Sequence, residues 1–348
     1  MPHLCHLARP FLMPSEFDLI ARYFTRPVQH TVLGVGDDGA VIRPSAGMEL
    51  VITTDMLVSG THFLADTDTE ALGWKSLAVN LSDLAAMGAE PRWAVVAVAL
   101  PSADEAWVAA FARGFFAAAD AFNVDVIGGD TTRGPLNIAP TVFGEVPQGQ
   151  ALTRAKAQIG DDLWVSGMPG RAALGLAYLQ GRAHLDLAGQ ADCVAALLRP
   201  QPRVALGVAL RGVASAAIDI SDGLLADIGH ILKRSEVAAD IQFASLPRAA
   251  HDACSDESLA TACLLTGGDD YELAFTAPTS QREKIAALSR QLRLPLSRIG
   301  CVTAAKAGSI GEVKAGEENI YKAVVRDAEG NPLVFDHKGY DHFGGASS

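Results

Sequence analysis

Four short runs, GVGDDGAVI, VIGGDTTRG, IGDDLWVSG and LTGGDDYEL, set glycine against aspartate beside a stretch of aliphatic residues. Glycine admits left-handed backbone and aspartate hydrogen-bonds its own chain, so each run reads as a turn that stops a strand. A chain punctuated in this way in both halves is built from short strands closed by turns. The recurrence hints at related halves but is too short to prove a duplication.

Between the turns the spacing predicts the remaining elements. An amphipathic helix covers Glu16 to Phe24, TVLGVG and GAVIRP form a hairpin, and ELVITTD is a strand. From Thr69 to Met87 a helical period puts Leu72, Leu77, Leu81 and Leu84 on a buried side and Ser76, Asn80, Asp83 and Met87 on another. Asn80 and Asp83, three apart, share a face. Gly88 and Pro91 end that helix, RWAVVAVAL is a strand, and Ser102 to Glu105 (SADE) reads as a capping box opening a helix to about Phe122. Its Phe111, Phe115, Phe116 and Phe122 are core residues. Strands VDVIGGD and NIAPTVFGEV close a first domain, residues 15–150.

The second, residues 151–348, starts with the IGDDLWVSG strand. Helices follow at Arg171 to Leu179, Cys193 to Leu198 and Arg203 to Ala214, then strand AAIDIS, helix GLLADIGHILKRS and strands LAFTA and RIGCV. The fold class is α/β (α+β), with mixed sheets flanked by helices in two domains.

Charge narrows the function. Lys and Arg number 28 against 40 Asp and Glu, a net charge of -12, and no basic run exceeds Lys233-Arg234. Nucleic-acid backbone binding is therefore not expected, whereas anionic ligands become accessible if divalent cations bridge them to the carboxylates. The 5 cysteines are odd in number and form no C-x-x-C, which points to neither a disulfide framework nor a zinc knuckle and suits a reducing cytoplasm. The longest strongly apolar run, WAVVAVAL, is too short for a membrane span. The opening MPHLCHLARPFL lacks the apolar core of a signal peptide, so residues 1–14 are expected to be a disordered extension or a misassigned start. A chain begun at Met13 should keep its melting temperature and turnover. A large loss of either would make the extension structural.

The run LGVGDDGAV also matches Gly-x-Gly-x-x-Gly through Gly34, Gly36 and Gly39, with Asp55 about where a ribose-binding acid would lie. That fingerprint needs a helix whose N-terminus meets a pyrophosphate, yet GAVIRP reads as extended and Asp37 and Asp38 would repel an unbridged phosphate. No Gly-Lys dipeptide occurs, so a Walker A loop is absent as well. Any single Gly-Asp pair is adequately explained as a turn. As a set, however, Asp38, Asp55, Asp83, Asp130, Asp219, Asp222 and Asp269 fall at strand ends or on a polar helix face, several beside glycine. Carboxylates gathered at strand ends are what hard cations need for oxygen coordination.

The segments EFDLIARYF, GVGDDGAV, TTDMLVSGTHF, KSLAVNLSDLAAMGAEP, IGGDTTRGP, ALTRAKAQIGD, AIDISDGLLADIGHI, GGDDYEL and KGYDHF, in this order from Ser15 to Phe343, together resemble the thiamine-monophosphate kinases. That family belongs to the aminoimidazole ribonucleotide synthetase superfamily. The resemblance implies ATP-dependent phosphorylation of thiamine monophosphate to the diphosphate, with several magnesium ions, by a homodimer whose N-terminal sheets pair. Carried over by position, it implies metal ligation by Asp38, Thr53, Thr54, Asp55, Asp83, Asp130, Asp219 and Asp222. ATP contacts fall on Gly129, Asp130, Arg154 and Ser221, and acceptor contacts on His62, Asp269 and Tyr340. The family usually carries Glu where this chain has Asp269, one methylene shorter.

The chemistry agrees with such a set. A phosphate monoester has a second pKa of about 6, so near neutrality the acceptor oxygen is already ionised and needs no general base. The obstacle is repulsion between two polyanions, which cations held by carboxylates relieve. No catalytic side chain beyond the metal ligands is expected. Plainer readings stand beside this one: His62 as a strand-end histidine, Arg154 as a solvated loop cation, Tyr340 as a tail residue packed on the core, and Asp37 as a turn former. The alternative functions are another ATP-dependent superfamily member, such as a purine-biosynthetic synthetase or hydrogenase-maturation factor, or a non-catalytic nucleotide and metal sensor. TTDMLVSGTHF and KGYDHF argue against the first.

Overall fold

Two mixed β-sheets organise the chain, and one helix buried on nearly every side lies between them. The computed structural model describes residues 16–305 and 321–333. The expected extension at 1–14 and Tyr340 lie outside the described residues.

The first half contains α1 (Glu16–Leu19), continued by a π-helical turn over Ile20–Phe24, then β1 (Thr31–Leu33), β2 (Val41–Ile42), β3 (Met48–Thr54) and β4 (Leu57–Val58). It continues with α2 (Thr69–Ala86), β5 (Glu90–Leu100), α3 (Glu105–Ala121), β6 (Asp125–Arg133) and β7 (Asn137–Pro147). The second half runs β8 (Asp162–Ser166), α4 (Arg171–Leu179), α5 (Leu187–Leu198), α6 (Val204–Ala209), β9 (Ala216–Asp219), α7 (Leu224–Ser235) and β10 (Ala238–Gln242). It ends with α8 (Ala249–Asp252), α9 (Glu257–Thr266), β11 (Leu273–Ala277), α10 (Arg282–Leu292), β12 (Leu296–Thr303) and β13 (Ala323–Arg326).

The first sheet has strand order β3-β7-β5-β6, with β4 also on β7; β5 and β6 are parallel and the other pairs antiparallel. The second has order β13-β10-β12-β8-β11-β9, in which only β10 and β13 run parallel. No described strand joins the two. The hairpin of β1 and β2 pairs Thr31 with Ile42, so the segment after Gly39 is a strand. The helix that a dinucleotide fingerprint requires is absent there.

Two expectations need correction. The helix entering at 105 is capped by Asp104, whose carboxylate accepts from Ala106 and Trp107 N–H, and not by Ser102. Ser102 instead accepts the Asp104 N–H through its backbone oxygen. More important, α2 has no solvated polar face: Ser76 and Asn80 are as buried as Leu77 and Leu81, at 0% exposure. The cause is packing from all sides, by α3, by β3, β5 and β7, and by α6 and β9 of the second half. The crossing of α2 and α3 leaves no room for side chains, since a Cβ on Gly114 would lie 1.7 Å from the Glu70 oxygen and one on Gly73 2.1 Å from the Phe111 oxygen.

Apolar burial follows the same plan. Leu77, Leu81 and Leu84 pack with Phe111, Phe115, Ile138 and Val142 in one core, while Leu163, Val165, Ile218, Ile228 and Ile241 fill another beneath the second sheet. Among the described residues no helix is long and apolar enough to cross a membrane.

Candidate active site

The chain ends of β3 and β9, one face of α2 and the loop before β11 enclose a cleft of ≈ 760 Å³. Leaving β3, the chain offers Thr54 and Asp55. From α2 come Lys75, Val79 and Asp83, spaced at i, i+4 and i+8 and hence on one face. Asp219 ends β9, Ser221 and Asp222 follow it, and Gly268, Asp269 and Tyr271 complete the wall.

Local hydrogen bonds fix each group. The Asp55 N–H donates to Asn80 Oδ1 at 2.9 Å, Thr53 Oγ1 to Asp83 Oδ2 at 2.7 Å, and Ser82 Oγ to Asp219 Oδ2 at 2.7 Å. The turn after β9 wraps a single carboxylate: Asp227 Oδ2, one turn into α7, accepts the N–H groups of Ser221, Asp222 and Gly223 at 3.0, 3.0 and 3.1 Å. The 267–271 loop is drawn against this turn by Asp269 N–H to the Ser221 oxygen and Tyr271 N–H to the Ile220 oxygen, both at 2.8 Å. A Cβ on Gly268 would lie 2.3 Å from the Ser221 oxygen, so only glycine permits the approach. Asp269 and Tyr271 both take left-handed backbone, at φ 69 and 53°. Such conformations cost about 1 kcal/mol each and persist where surrounding structure over-determines them.

The electrostatics are those of crowded acids. Burial, with Asp83 and Asp222 nearby, pushes the Asp55 carboxyl up to about 7. Burial also raises Asp83, against the opposing pull of the Thr53 hydroxyl and Arg154, and lifts Asp219 well above the usual carboxylate range with help from Asp83. Buried carboxyls crowded against one another share this upward shift. That is the behaviour of a donor set suited to hard divalent ions, although among the described residues no three such side chains close into a cation cage. Magnesium is commonly bound by only one or two carboxylates, with waters and substrate phosphates completing its shell.

Not all the expected ligands meet in this cleft. Asp55, Asp83, Asp219 and Asp222 converge, Thr54 lines the wall and Thr53 touches Asp83. Asp38, Gly129 and Asp130 line a different cavity of ≈ 430 Å³, under the loop from Val35 to Ala40 and against β5 and β6. Thr54 also donates to the Pro140 oxygen at 2.8 Å, which anchors β3 to β7 at the cleft edge. Arg154 is exposed in the link between β7 and β8, within electrostatic reach of Asp83.

Of the residues expected to contact the acceptor, His62 accepts the Val58 N–H on Nδ1 at 3.0 Å, which places the proton of a neutral ring on Nε2. Asp269 accepts from Lys75 Nζ at 3.0 Å and from the Tyr271 hydroxyl at 2.9 Å. Lys75 and Asp227 were not singled out from sequence. For Lys75 the signal was available in its spacing, eight residues before Asp83 on the same helix face. For Asp227 nothing local distinguishes a turn-capping acid from a ligand.

Asp270, next to Asp269, accepts the N–H groups of Gly170 and Ala172 at the start of α4, and burial pushes it up to about 8. A carboxyl raised above its unfolded value stabilises the fold fully at low pH and loses that contribution as pH climbs through the folded value. In EDTA, the melting temperature should therefore fall between about pH 4 and pH 8. Asp270→Asn keeps an acceptor for one of the two N–H groups and, by removing the titrating carboxyl, should flatten part of that slope. Parallel curves for the variant and the parent would assign the slope to other acids.

A family model described as AIR synthase related protein, N-terminal domain, matches residues 36–146. The thiamine-monophosphate kinase of Escherichia coli (strain K12) is 44% identical over 336 residues, covering 94% of this chain and 98% of the relative. A crystal structure of thiamine-monophosphate kinase from Stenotrophomonas maltophilia K279a superposes with a TM-score of 0.78 at 46% identity, covering 90% of this chain and 95% of that one. AaThiL complexed with AMPPCP and TMP superposes with a TM-score of 0.71 at 28% identity, covering 94% of this chain and 96% of the other.

Proposed function

The chain belongs to the thiamine-monophosphate kinase family, and we infer from this premise that its cleft phosphorylates thiamine monophosphate to thiamine diphosphate with ATP, the last step of thiamine diphosphate biosynthesis. The observation that carries the chemistry is the convergence of Asp55, Asp83, Asp219 and Asp222 in one cleft whose lysine, Lys75, is paired with Asp269. We propose that these four, with Thr53 and Thr54, hold magnesium, and that Asp38 and Asp130 hold further ions on the side of the second cavity. When bound, the ions supply charge neutralisation for donor and acceptor phosphates.

The remaining work falls to this chain's own groups. Asn80 and Ser82 orient Asp55 and Asp219 by direct hydrogen bonds, and Asp227 fixes the turn that carries Ser221 and Asp222. Arg154, Gly129 and Ser221 serve the nucleotide, and His62 and Asp269 the acceptor, joined by Tyr340. The phosphoryl group passes in line from ATP to an acceptor oxygen that is already ionised, so no side chain takes a proton and no covalent intermediate forms. Residues 15–150 bring the nucleotide loop and the dimer face, and residues 151–348 complete the site.

Purified protein incubated with ATP, magnesium and thiamine monophosphate should yield thiamine diphosphate and ADP in equal amounts. ATP turnover without the diphosphate would overturn the assignment.

Surface chemistry supports the dimer that the family resemblance implies. Val32, Leu33 and Val41 on the hairpin and Leu50 and Ile52 on the edge strand β3 are exposed, Val32 by 57% and Ile52 by 56%. An apolar edge strand beside an apolar hairpin invites pairing with a second copy. We propose a homodimer in which these edges meet. Ile52→Asp combined with Val32→Asp should give a monomer by light scattering, and an unchanged dimer mass would place the interface elsewhere.

A further inference from the structure

Off the main cleft opens an annex of ≈ 120 Å³ walled by Phe63, Leu64, Leu176, Leu179, Leu197 and Leu198. Thr61, His62, Lys75, Leu176 and Asp269 border both spaces, so the polar members of this group stand where an apolar pocket meets an acidic one. Resting on the kinase reading above, we propose that Lys75 is a specificity-determining residue for the acceptor, which with Asp269 reads the aminopyrimidine edge of thiamine monophosphate.

Lys75 is 3% exposed, and among the described residues its Nζ donates to Asp269 alone. An ammonium carries three donors. Removing it from water for one ion pair is poorly compensated, and a buried pair of this kind is often replaceable by apolar side chains at no loss of stability. As a purely structural element Lys75 is thus a bad choice, being the one charged side chain among the buried positions of α2. As part of a ligand site it is a good one, because two donors remain for a guest.

The guest's chemistry fits. Thiamine ends in a flat 4-aminopyrimidine, whose edge sets an amino donor beside a ring-nitrogen acceptor. Lys75 Nζ and Asp269 Oδ2, 3.0 Å apart, offer the complementary donor and acceptor. The Tyr271 hydroxyl holds the other carboxylate oxygen at 2.9 Å, so the pair is oriented before the ligand arrives. The leucines and Phe63 of the annex suit the ring's apolar faces. The carboxylates that would reach a phosphate through magnesium lie in the main cleft, not in the annex.

The test compares thiamine monophosphate with an analogue in which the ring nitrogen next to the amino group is replaced by CH, using the intact protein with ATP and magnesium. A hydrogen bond from a charged donor predicts a KM for the analogue about 10- to 100-fold higher in the wild type. Lys75→Met should raise KM for thiamine monophosphate by a similar factor, with a much smaller effect on kcat, leave KM for ATP unchanged, and no longer distinguish the two acceptors. Continued discrimination by the variant would overturn the proposal. So would a rise in KM for ATP instead, because adenine presents the same kind of edge and Lys75 would then belong to the nucleotide. Should Lys75→Met fail to fold, the wild-type comparison decides alone, since equal KM values for the two acceptors overturn the proposal without any variant. A wild-type chain inert toward thiamine monophosphate would overturn the kinase reading itself, a result separable from a kinase that ignores the ring nitrogen.

Discussion

Replacing Asp83 by asparagine should lower turnover about 10³-fold, the equivalent of several kcal/mol of transition-state charge stabilisation, and leave the fold intact. The Thr53 hydroxyl can donate to an asparagine oxygen as it does to the carboxylate, so the local geometry survives. In EDTA the variant should melt higher than the parent, because burial and the neighbouring Asp219 and Asp55 make the Asp83 charge costly in the absence of a cation. Asp55→Asn should behave alike, and Asp222→Asn should lose turnover. Asp38→Asn should lose activity with little gain in stability, since Asp38 is exposed. The distinguishing measurement is turnover against magnesium concentration, paired with melting in EDTA and in magnesium. Asparagine variants with the parent's turnover and magnesium dependence would remove these carboxylates from the metal site.

Free thiamine should be phosphorylated at least about 10³-fold more slowly than thiamine monophosphate, the range that a missing general base commonly costs. An alcohol must lose a proton to attack, whereas the phosphate acceptor arrives ionised and turnover declines only as it protonates below about pH 6. The histidine nearest the acceptor end is poorly arranged to be a base. Its Nδ1 is committed to the Val58 N–H, so the neutral ring presents Nε2 as a donor. His62→Asn should therefore raise KM for thiamine monophosphate and retain much of kcat at saturation. Equal rates with free thiamine, or loss of turnover at saturation with binding preserved, would restore His62 as a proton acceptor.

The aspartates were legible in the sequence because turns and strand ends are local features. Asp55 after β3 and Asp219 at the end of β9 follow from a strand pattern broken by a turn, and Asp83 from helical spacing. What depends on tertiary packing was not legible. Ser76 and Asn80 look like a solvent face until α6 and β9 cover them, and the covering elements come from more than a hundred residues away. The separation of Asp38 and Asp130 from the other acids into a second cavity has the same origin, since no spacing rule says which strand ends meet. Among secondary elements, β10 and α9 escaped for lack of a clear period. Helix α10 was passed over because Ile285 is its only fully buried residue.

The burial of α2 also governs how the protein comes apart. Its Trp74 indole donates to the Pro200 oxygen, Arg211 Nε donates to the Gly88 oxygen just beyond its end, and a Cβ on Gly207 would fall 1.9 Å from the Ala85 oxygen. Helix α2 thus lies chiefly in the first core while its C-terminal end, Ala85 and Ala86, joins the core of the second half. Releasing the second half strips apolar surface from α2, and unfolding α2 uncovers the β3, β5 and β7 face beneath it. Two sheets that share no strand are in this way tied together through one helix, so a single melting transition is expected, in which the carboxylates of the cleft disperse together.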